Sequence, residues 1–352
     1  MTTLFEEVFV MTLPTTTKAI GFYEGFELKG DQPGFQDLVL PMPVLKAQDL
    51  LVQVQAVSVN PVDTKQRQTQ VKTTKPRILG FDGVGQVVAK GEAVADFALG
   101  DMVYYAGTTK RPGSNMAYQA IDSRLVAEKP TTLDVNASAA LPLTSLTAWE
   151  LLFEKLGFTP APGANQGQKI LVVNGAGGVG SMLMQLAKWS GLRVYATASN
   201  QNFDWLMQYG ADVTLDYHQN IAEQLRAVDI VNVDGIAILY NPTNYFQMAA
   251  DLIKPFGHIA SLVDVQTLPI GLLKPKSASF DWEFMFTKSD YNVNMASQGR
   301  ILQQVAQLVD QGVLKSTLRE VIPGINAQTL TQAHRQIEGG HTKGKIVLSG
   351  EF

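Results

Sequence analysis

Apolar residues along this chain change their period twice. From residue 18 to about 138 they fall in short alternating or β-rich runs, at 19–23, 38–40 and 49–59, punctuated by Pro41 and Pro43. Two further runs, 78–88 and 97–105, read as strands. Gly83 and Gly85 lie inside the first of them, which predicts a bulge or the close approach of another backbone. This texture predicts a mostly antiparallel β domain. From about residue 141 the period lengthens, with a helical stretch at 141–156 and a β-branched run at 170–173 that suits a strand buried on both faces. Strands at 193–198, 213–217, 236–240 and 258–263 then alternate with helical patterns. Repeated βα units require a parallel sheet with right-handed crossovers. Beyond about residue 269 the pattern turns β-rich at 277–287, followed by a helix at 295–311 and a strand at 345–348. A βα insert between segments of another character predicts a central domain at 141–285. Residues 1–140 and 286–352 then form the two parts of a flanking domain, with 1–17 an extension.

The first βα turn carries chemistry. Gly175-Ala176-Gly177-Gly178-Val179-Gly180 fits G-x-G-x-x-G and lies between a strand and a helix that has Val179, Leu183, Leu186 and Ala187 on one face and stops at Gly191. In that context the motif is a dinucleotide fingerprint, because a pyrophosphate docks on a helix N-terminus only where side chains do not block the backbone. The fold expected is therefore α/β, a Rossmann doubly wound parallel sheet. NAD readers place an acidic residue at the end of the second strand to bind the ribose hydroxyl. Thr197-Ala198-Ser199-Asn200 stands there instead. A carboxylate would repel a 2′-phosphate and these small groups can donate to one, so NADPH is favoured over NADH.

Composition narrows the remaining classes. The formal net charge of −4 argues against a nucleic-acid partner. With no cysteine, disulfides, thiolate nucleophiles and thiolate-bound zinc are excluded together. The N-terminus carries Glu6 and Glu7 and no basic residue before Lys18, unlike a signal peptide, and no apolar run reaches membrane-spanning length. A cytoplasmic protein is expected.

In order and spacing, several motifs resemble the medium-chain dehydrogenase/reductases. They are Asn60-Pro61-Val62-Asp63, Gly80-Phe81-Asp82-Gly83-Val84-Gly85, Leu99-Gly100-Asp101-Met102-Val103, the run from Leu141 to Trp149, and the glycine turn. Within that superfamily the chain is similar to the quinone oxidoreductase branch, and more closely to a bacterial group labelled zinc-type alcohol dehydrogenase-like proteins. The resemblance covers residues 18–350. It implies a GroES-like fold for the flanking domain, a cleft between the domains and a homodimer. The zinc alcohol dehydrogenases hold their metal with Cys, His and a further Cys or acidic residue. Here Asn60 stands near the place of the first cysteine and Phe81 in that of the histidine, leaving Asp82 as the acid. His218, His258, His334 and His341 are far apart in sequence, so no metal site is expected.

Quinones and conjugated enones accept hydride without a Lewis acid, which makes an NADPH-dependent, zinc-independent reductase of such substrates the leading expectation. Two alternatives stand beside it, reduction of simple aldehydes or ketones and an NADPH-binding sensor with little turnover. By resemblance Asn60 lies near nicotinamide and substrate, where its amide could serve the substrate oxygen. It reads equally as a turn residue before Pro61. Asp63 suits ordering the loop better than moving a proton. Tyr104 or Tyr105 is a candidate to cap the substrate or give it a proton, and adjacent strand residues point to opposite faces, so only one can reach the cleft. Thr147 matches a threonine that approaches the cofactor, and Ser199 and Tyr217 match positions lining the 2′-phosphate. Asn200 and Asn241 are counted with the cofactor site. The lysine usual after the second strand is replaced by Gln201-Asn202, leaving Lys343 or Lys345 to supply its charge, although both also read as solvated lysines.

Overall fold

The protein is described from a computed structural model covering residues 13–28 and 34–352. Most of the expected extension, residues 1–12, lies outside the described residues. Its last two positions belong to β1 (Thr16–Gly21), which pairs antiparallel with β2 (Gln36–Pro41). The flanking domain then supplies β3 (Asp49–Val59), α1 (Pro61–Thr69), β4 (Gly83–Lys90), β5 (Met102–Tyr105), β6 (Tyr118–Asp122) and β7 (Val126–Glu128). Two short helices, α2 (Val135–Ala139) and α3 (Pro142–Trp149), lead into a π-helical stretch, Glu150–Lys155.

A regular βα series follows: β8 (Lys169–Val173), α4 (Gly178–Trp189), β9 (Arg193–Ala198), α5 (Phe203–Gln208), β10 (Val213–Asp216), α6 (Ile221–Arg226), β11 (Val233–Ile238), α7 (Phe246–Leu252), β12 (Ile253–Ser261) and β13 (Ser279–Trp282). These six strands form a parallel sheet in the order β10-β9-β8-β11-β12-β13. The order reverses between β8 and β11, the position at which such sheets bind their ligands. The chain returns through α8 (Phe286–Asp290), α9 (Ala296–Asp310), β14 (Leu318–Pro323), α10 (Ala327–Glu338) and β15 (Lys345–Ser349).

The last strand joins the first half of the chain. β15 runs antiparallel to β3, with Ile346 opposite Val59, and the second sheet reads β14-β15-β3-β4-β5-β7 with β6 also on β3. Pairing is antiparallel throughout except for β14 on β15. The fold is therefore the expected one, a Rossmann-type parallel sheet inserted in a GroES-like antiparallel domain. One continuous apolar core joins the two sheets, taking Val57 and Ile346 from one, Ile170 and Val172 from the other, and Leu146 and Leu302 from the helices between.

Three local expectations are corrected. Asn60-Pro61-Val62-Asp63 begins α1, with Pro61 at a first-turn position where its missing N–H costs nothing. The β-rich stretch 277–287 yields only the four residues of β13, because Ser277 is left-handed and Thr287 already lies in α8. β14 and α10 were not anticipated.

Gly85 behaves as expected. The β3–β4 register shifts between Val54 and Ala56, and a Cβ on Gly85 would lie 2.1 Å from the Gln53 carbonyl oxygen. Gly85→Ala should cost about 1–3 kcal/mol of stability through backbone displacement. Urea denaturation checks this, and an unchanged midpoint would contradict the close approach.

Candidate functional site

The glycine turn is held from the neighbouring strand. Thr197 on β9 accepts the Asn174 N–H at its hydroxyl oxygen (2.9 Å) and the Gly175 N–H at its carbonyl (2.9 Å), with Asn174 in the left-handed region at φ 66°. Thr197 is wholly buried, so it shapes the turn and does not face a ligand. A Cβ on Gly180 would fall 2.4 Å from the Gly175 carbonyl oxygen, whereas one on Gly177 would enter open space. That open flank, at the N-terminus of the 12-residue α4, fits a dinucleotide pyrophosphate. Gly178 is closed by Lys345 and Thr144, Ala176 accepts the Gly344 N–H (3.2 Å), and Gly177 bridges to Gly344. The C-terminal segment thus seals one side of the turn. Val179 packs against the core from the first turn of α4.

Beneath the turn lies a buried polar cluster built from distant parts of the chain. The Lys345 ammonium donates to Asn60 Oδ1, to Asp82 Oδ2 (2.9 Å) and to the Val59 carbonyl (3.2 Å), which uses all three of its hydrogens. Asp82 Oδ2 also accepts from Ser58 Oγ (2.5 Å) and Asn60 Nδ2 (2.8 Å), and its Oδ1 accepts the Leu143 N–H at the start of α3 (2.7 Å). Lys345 is 3 % exposed and Asp82 0 %. Asp63 stands behind them, accepting the Asn60 N–H (2.9 Å) and the Gly80 N–H (3.1 Å). Burial pushes its carboxyl up to about 7, against the pull of those N–H groups and of Lys345. Asp63 therefore fixes the loop, and Asn60 is neither free nor a simple turn residue.

Just beyond the end of β9, Ser199 is half-buried and Asn200 exposed. Tyr217 is 40 % exposed and stacks on His218, whose Nδ1 lies 2.8 Å from Asp216 Oδ1. Asn241, after β11, accepts the Thr243 N–H and caps a short 3-10 turn (3.0 Å).

Comparison with known proteins agrees with this geometry. Residues 46–126 match the alcohol dehydrogenase GroES-like domain, and residues 209–348 match the family described as zinc-binding dehydrogenase. The zinc-type alcohol dehydrogenase-like protein of Staphylococcus epidermidis is 39% identical over 335 residues, 94% of this chain and 99% of that one. The chain belongs to the medium-chain dehydrogenase/reductase superfamily. The chloroplastic NADPH-dependent alkenal/one oxidoreductase of Arabidopsis thaliana is 30% identical over 318 residues, 87% of this chain and 73% of that one. Among solved structures, the quinone oxidoreductase of Coxiella burnetii superposes with a TM-score of 0.79 at 26% identity, over 95% of this chain and 99% of that one. As a medium-chain dehydrogenase/reductase the protein is an oxidoreductase that uses a nicotinamide cofactor, and the open Gly177 flank suits one.

The zinc of the family description does not fit this member. Catalytic zinc needs at least three convergent N, S or O ligands. Phe81 is buried against Phe286 at 4.7 Å, and an ammonium already occupies the space among the Asn60 and Asp82 oxygens. Among the described residues no three His, Asp or Glu side chains gather as a metal site.

Several expected roles need correction. Tyr104 and Tyr105 do point to opposite sides, but neither reaches a cleft. The Tyr104 hydroxyl donates to the Leu302 carbonyl (2.5 Å) inside the core, and Tyr105 packs over Gly83 in a separate apolar cluster. Burial raises both phenols far above their usual range, and neither residue is more than 1 % exposed. Thr147 is buried and gives its hydrogen to the Leu143 carbonyl (2.8 Å), leaving only lone pairs to offer. Lys345 is not solvated, and its committed charge leaves none for a 2′-phosphate. Lys343 is half-buried beside Gly344. The Lys345–Asp82 pair was missed because 263 positions separate its members.

Two outcomes follow. Asp82→Ala should cost roughly 3–5 kcal/mol by stranding a buried ammonium, and adding Lys345→Met should restore much of it. Equal losses in the single and double variants, read from denaturation midpoints, would contradict the pairing. Between about pH 4 and pH 7 the unfolded chain gives up the Asp63 proton while the folded protein keeps it, so this group's contribution to stability falls as pH rises. Asp63→Asn should flatten that slope, and an unchanged slope would contradict the raised value.

Proposed function

We propose that the protein is an NADPH-dependent, zinc-independent reductase of quinones or α,β-unsaturated carbonyls. The observation that carries this reading is the Lys345 ammonium among Asn60, Asp82 and Val59, where a metal would otherwise polarise a carbonyl. Without a Lewis acid, the substrate must be electrophilic in its own right. Conjugated enones and quinones meet that requirement, because the added electron pair spreads over an enolate or a hydroquinone oxygen. The bound cofactor supplies the hydride, and the protein supplies position and charge.

Asn60, 1 % exposed, is the residue assigned to the developing oxyanion, a role that requires the site to open onto its amide when substrate binds. Its Nδ2 carries two hydrogens, of which one goes to Asp82, and the ammonium on its Oδ1 polarises the amide toward stronger donation. Reduction of simple aldehydes or ketones is disfavoured, since that reaction needs a Lewis acid or a strong proton donor and the Tyr104 and Tyr105 hydroxyls are locked in the core. The names of the Arabidopsis and Coxiella relatives support the same substrate class. A cytoplasmic homodimer completes the reading. The homodimer part is supported by β13 lying at the edge of its sheet among the described residues, with half-exposed Trp282 and Phe284 beside it. Among the described residues no helix is long and apolar enough to cross a membrane.

Loss of NADPH absorbance on adding a simple quinone or a conjugated enone, with a chelator present, tests the proposal. Turnover should survive the chelator, and Asn60→Ala should lower kcat about a hundredfold. Activity that appears only when zinc is restored would overturn the reading in favour of an alcohol dehydrogenase. Tight NADPH binding without turnover on a broad panel would overturn it in favour of a sensor.

A further inference from the structure

The two strand ends that would face an adenosine ribose lie side by side, and they carry no lysine or arginine. Asp216 at the end of β10 pairs in register with Ala198 at the end of β9, and the Tyr217 N–H reaches the Ala198 carbonyl (3.4 Å). From residue 194 to residue 225 the sequence holds no Lys or Arg. Lys345 is buried under Asp82, and Lys343, half-buried, precedes the Gly344 that docks on the glycine turn. The only side chain in that stretch able to become a cation is His218.

We infer that His218 is the specificity residue for the 2′-phosphate of NADPH, doing with a titratable imidazole what a lysine does elsewhere. This inference rests on the cofactor reading above and deepens it.

The geometry prepares the ring for that role. Asp216 Oδ1 accepts the His218 backbone N–H (3.0 Å) and lies 2.8 Å from Nδ1. A carboxylate oxygen only accepts, so Nδ1 carries the hydrogen and Nε2 is the free nitrogen. The ring stacks on Tyr217 with centroids 4.2 Å apart, while its side chain stays 63% exposed. Asp216 thus serves the imidazole, and its Oδ1 is taken. The hydrogen bonds from His218 hold the Asp216 carboxyl below its usual range, with Asn200 adding to the effect. Ser199 accepts from Asn202 Nδ2 at its hydroxyl oxygen (3.1 Å), which leaves the Ser199 hydrogen available to an anion.

Charge makes the site pH-dependent. With Nε2 unprotonated, the ring offers a lone pair to a 2′-phosphate and the Asp216 charge is uncompensated. With Nε2 protonated, the ring offers an N–H and the pair is neutral, so a phosphate gains a charge-assisted bond. The titratable groups facing the ring are Asp216 and Tyr217, and Tyr245, beyond β11, interacts with Tyr217 in turn. A change in cofactor preference is therefore expected wherever the ring gains or loses its Nε2 proton.

Fluorescence titration of the full-length protein with NADPH and with NADH, at pH 6.0 and pH 8.5, tests this without requiring turnover. NADPH should bind about tenfold more weakly at pH 8.5, the scale of one charge-assisted bond, while NADH stays level. His218→Ala should bind NADPH at both pH values as weakly as the unmodified protein does at pH 8.5. His218→Arg should hold the tight value at both, which also separates the ring from the phosphate's own titration near pH 6. NADPH preference that His218→Ala leaves unmoved would overturn this inference alone. Tighter binding of NADH at every pH would overturn it together with the cofactor reading.

Discussion

A buried ammonium holds the centre of this enzyme together. Lys345 begins the last strand of the chain, Asp82 precedes β4, and Asn60 caps α1. Isolated, each charge would be expensive at this depth, so the arrangement persists only because every hydrogen on the ammonium has an acceptor and the carboxylate accepts four donors. One of those donors is the N–H at the start of α3, and the lysine stem closes Gly178. The cluster therefore ties the last strand, the GroES-like domain, the connecting helix and the cofactor turn into one unit.

That constraint accounts for the departure from the zinc-type name. A dication and an ammonium cannot share the same acceptors, and the position that would hold an imidazole is filled by Phe81 packed on Phe286. Positive charge remains in the site, fixed to the chain and fully hydrogen-bonded. Such a charge polarises a neighbouring amide without opening a coordination position, which is a suitable environment for substrates that need orientation and charge stabilisation more than activation.

What the sequence disclosed follows how local each signal was. The Rossmann turn was legible because strand, glycines and helix are contiguous, and the open flank at Gly177 is the space those glycines keep clear. The bulge at Gly85 was legible because a glycine inside a strand has few other uses. The start of α1 carries its own signal in Pro61, masked because the Asn-Pro pair also suits a turn. Alternation along β5 separated Tyr104 from Tyr105 correctly, yet could not show that both sides are core, since burial there depends on α9 some 200 residues away. The burial of Lys345 is hidden from the local sequence for the same reason. Only the register of β15 on β3 brings it to Asn60, and nothing near it in sequence reveals that strand pairing.

The most direct test of the central claim is a crystal structure of the protein grown with NADPH and excess zinc, with anomalous data collected at the zinc edge. The account predicts no anomalous peak between Asn60 and Asp82, and the Lys345 ammonium in contact with both. A zinc peak at that point, with Lys345 displaced from its acceptors, would contradict it.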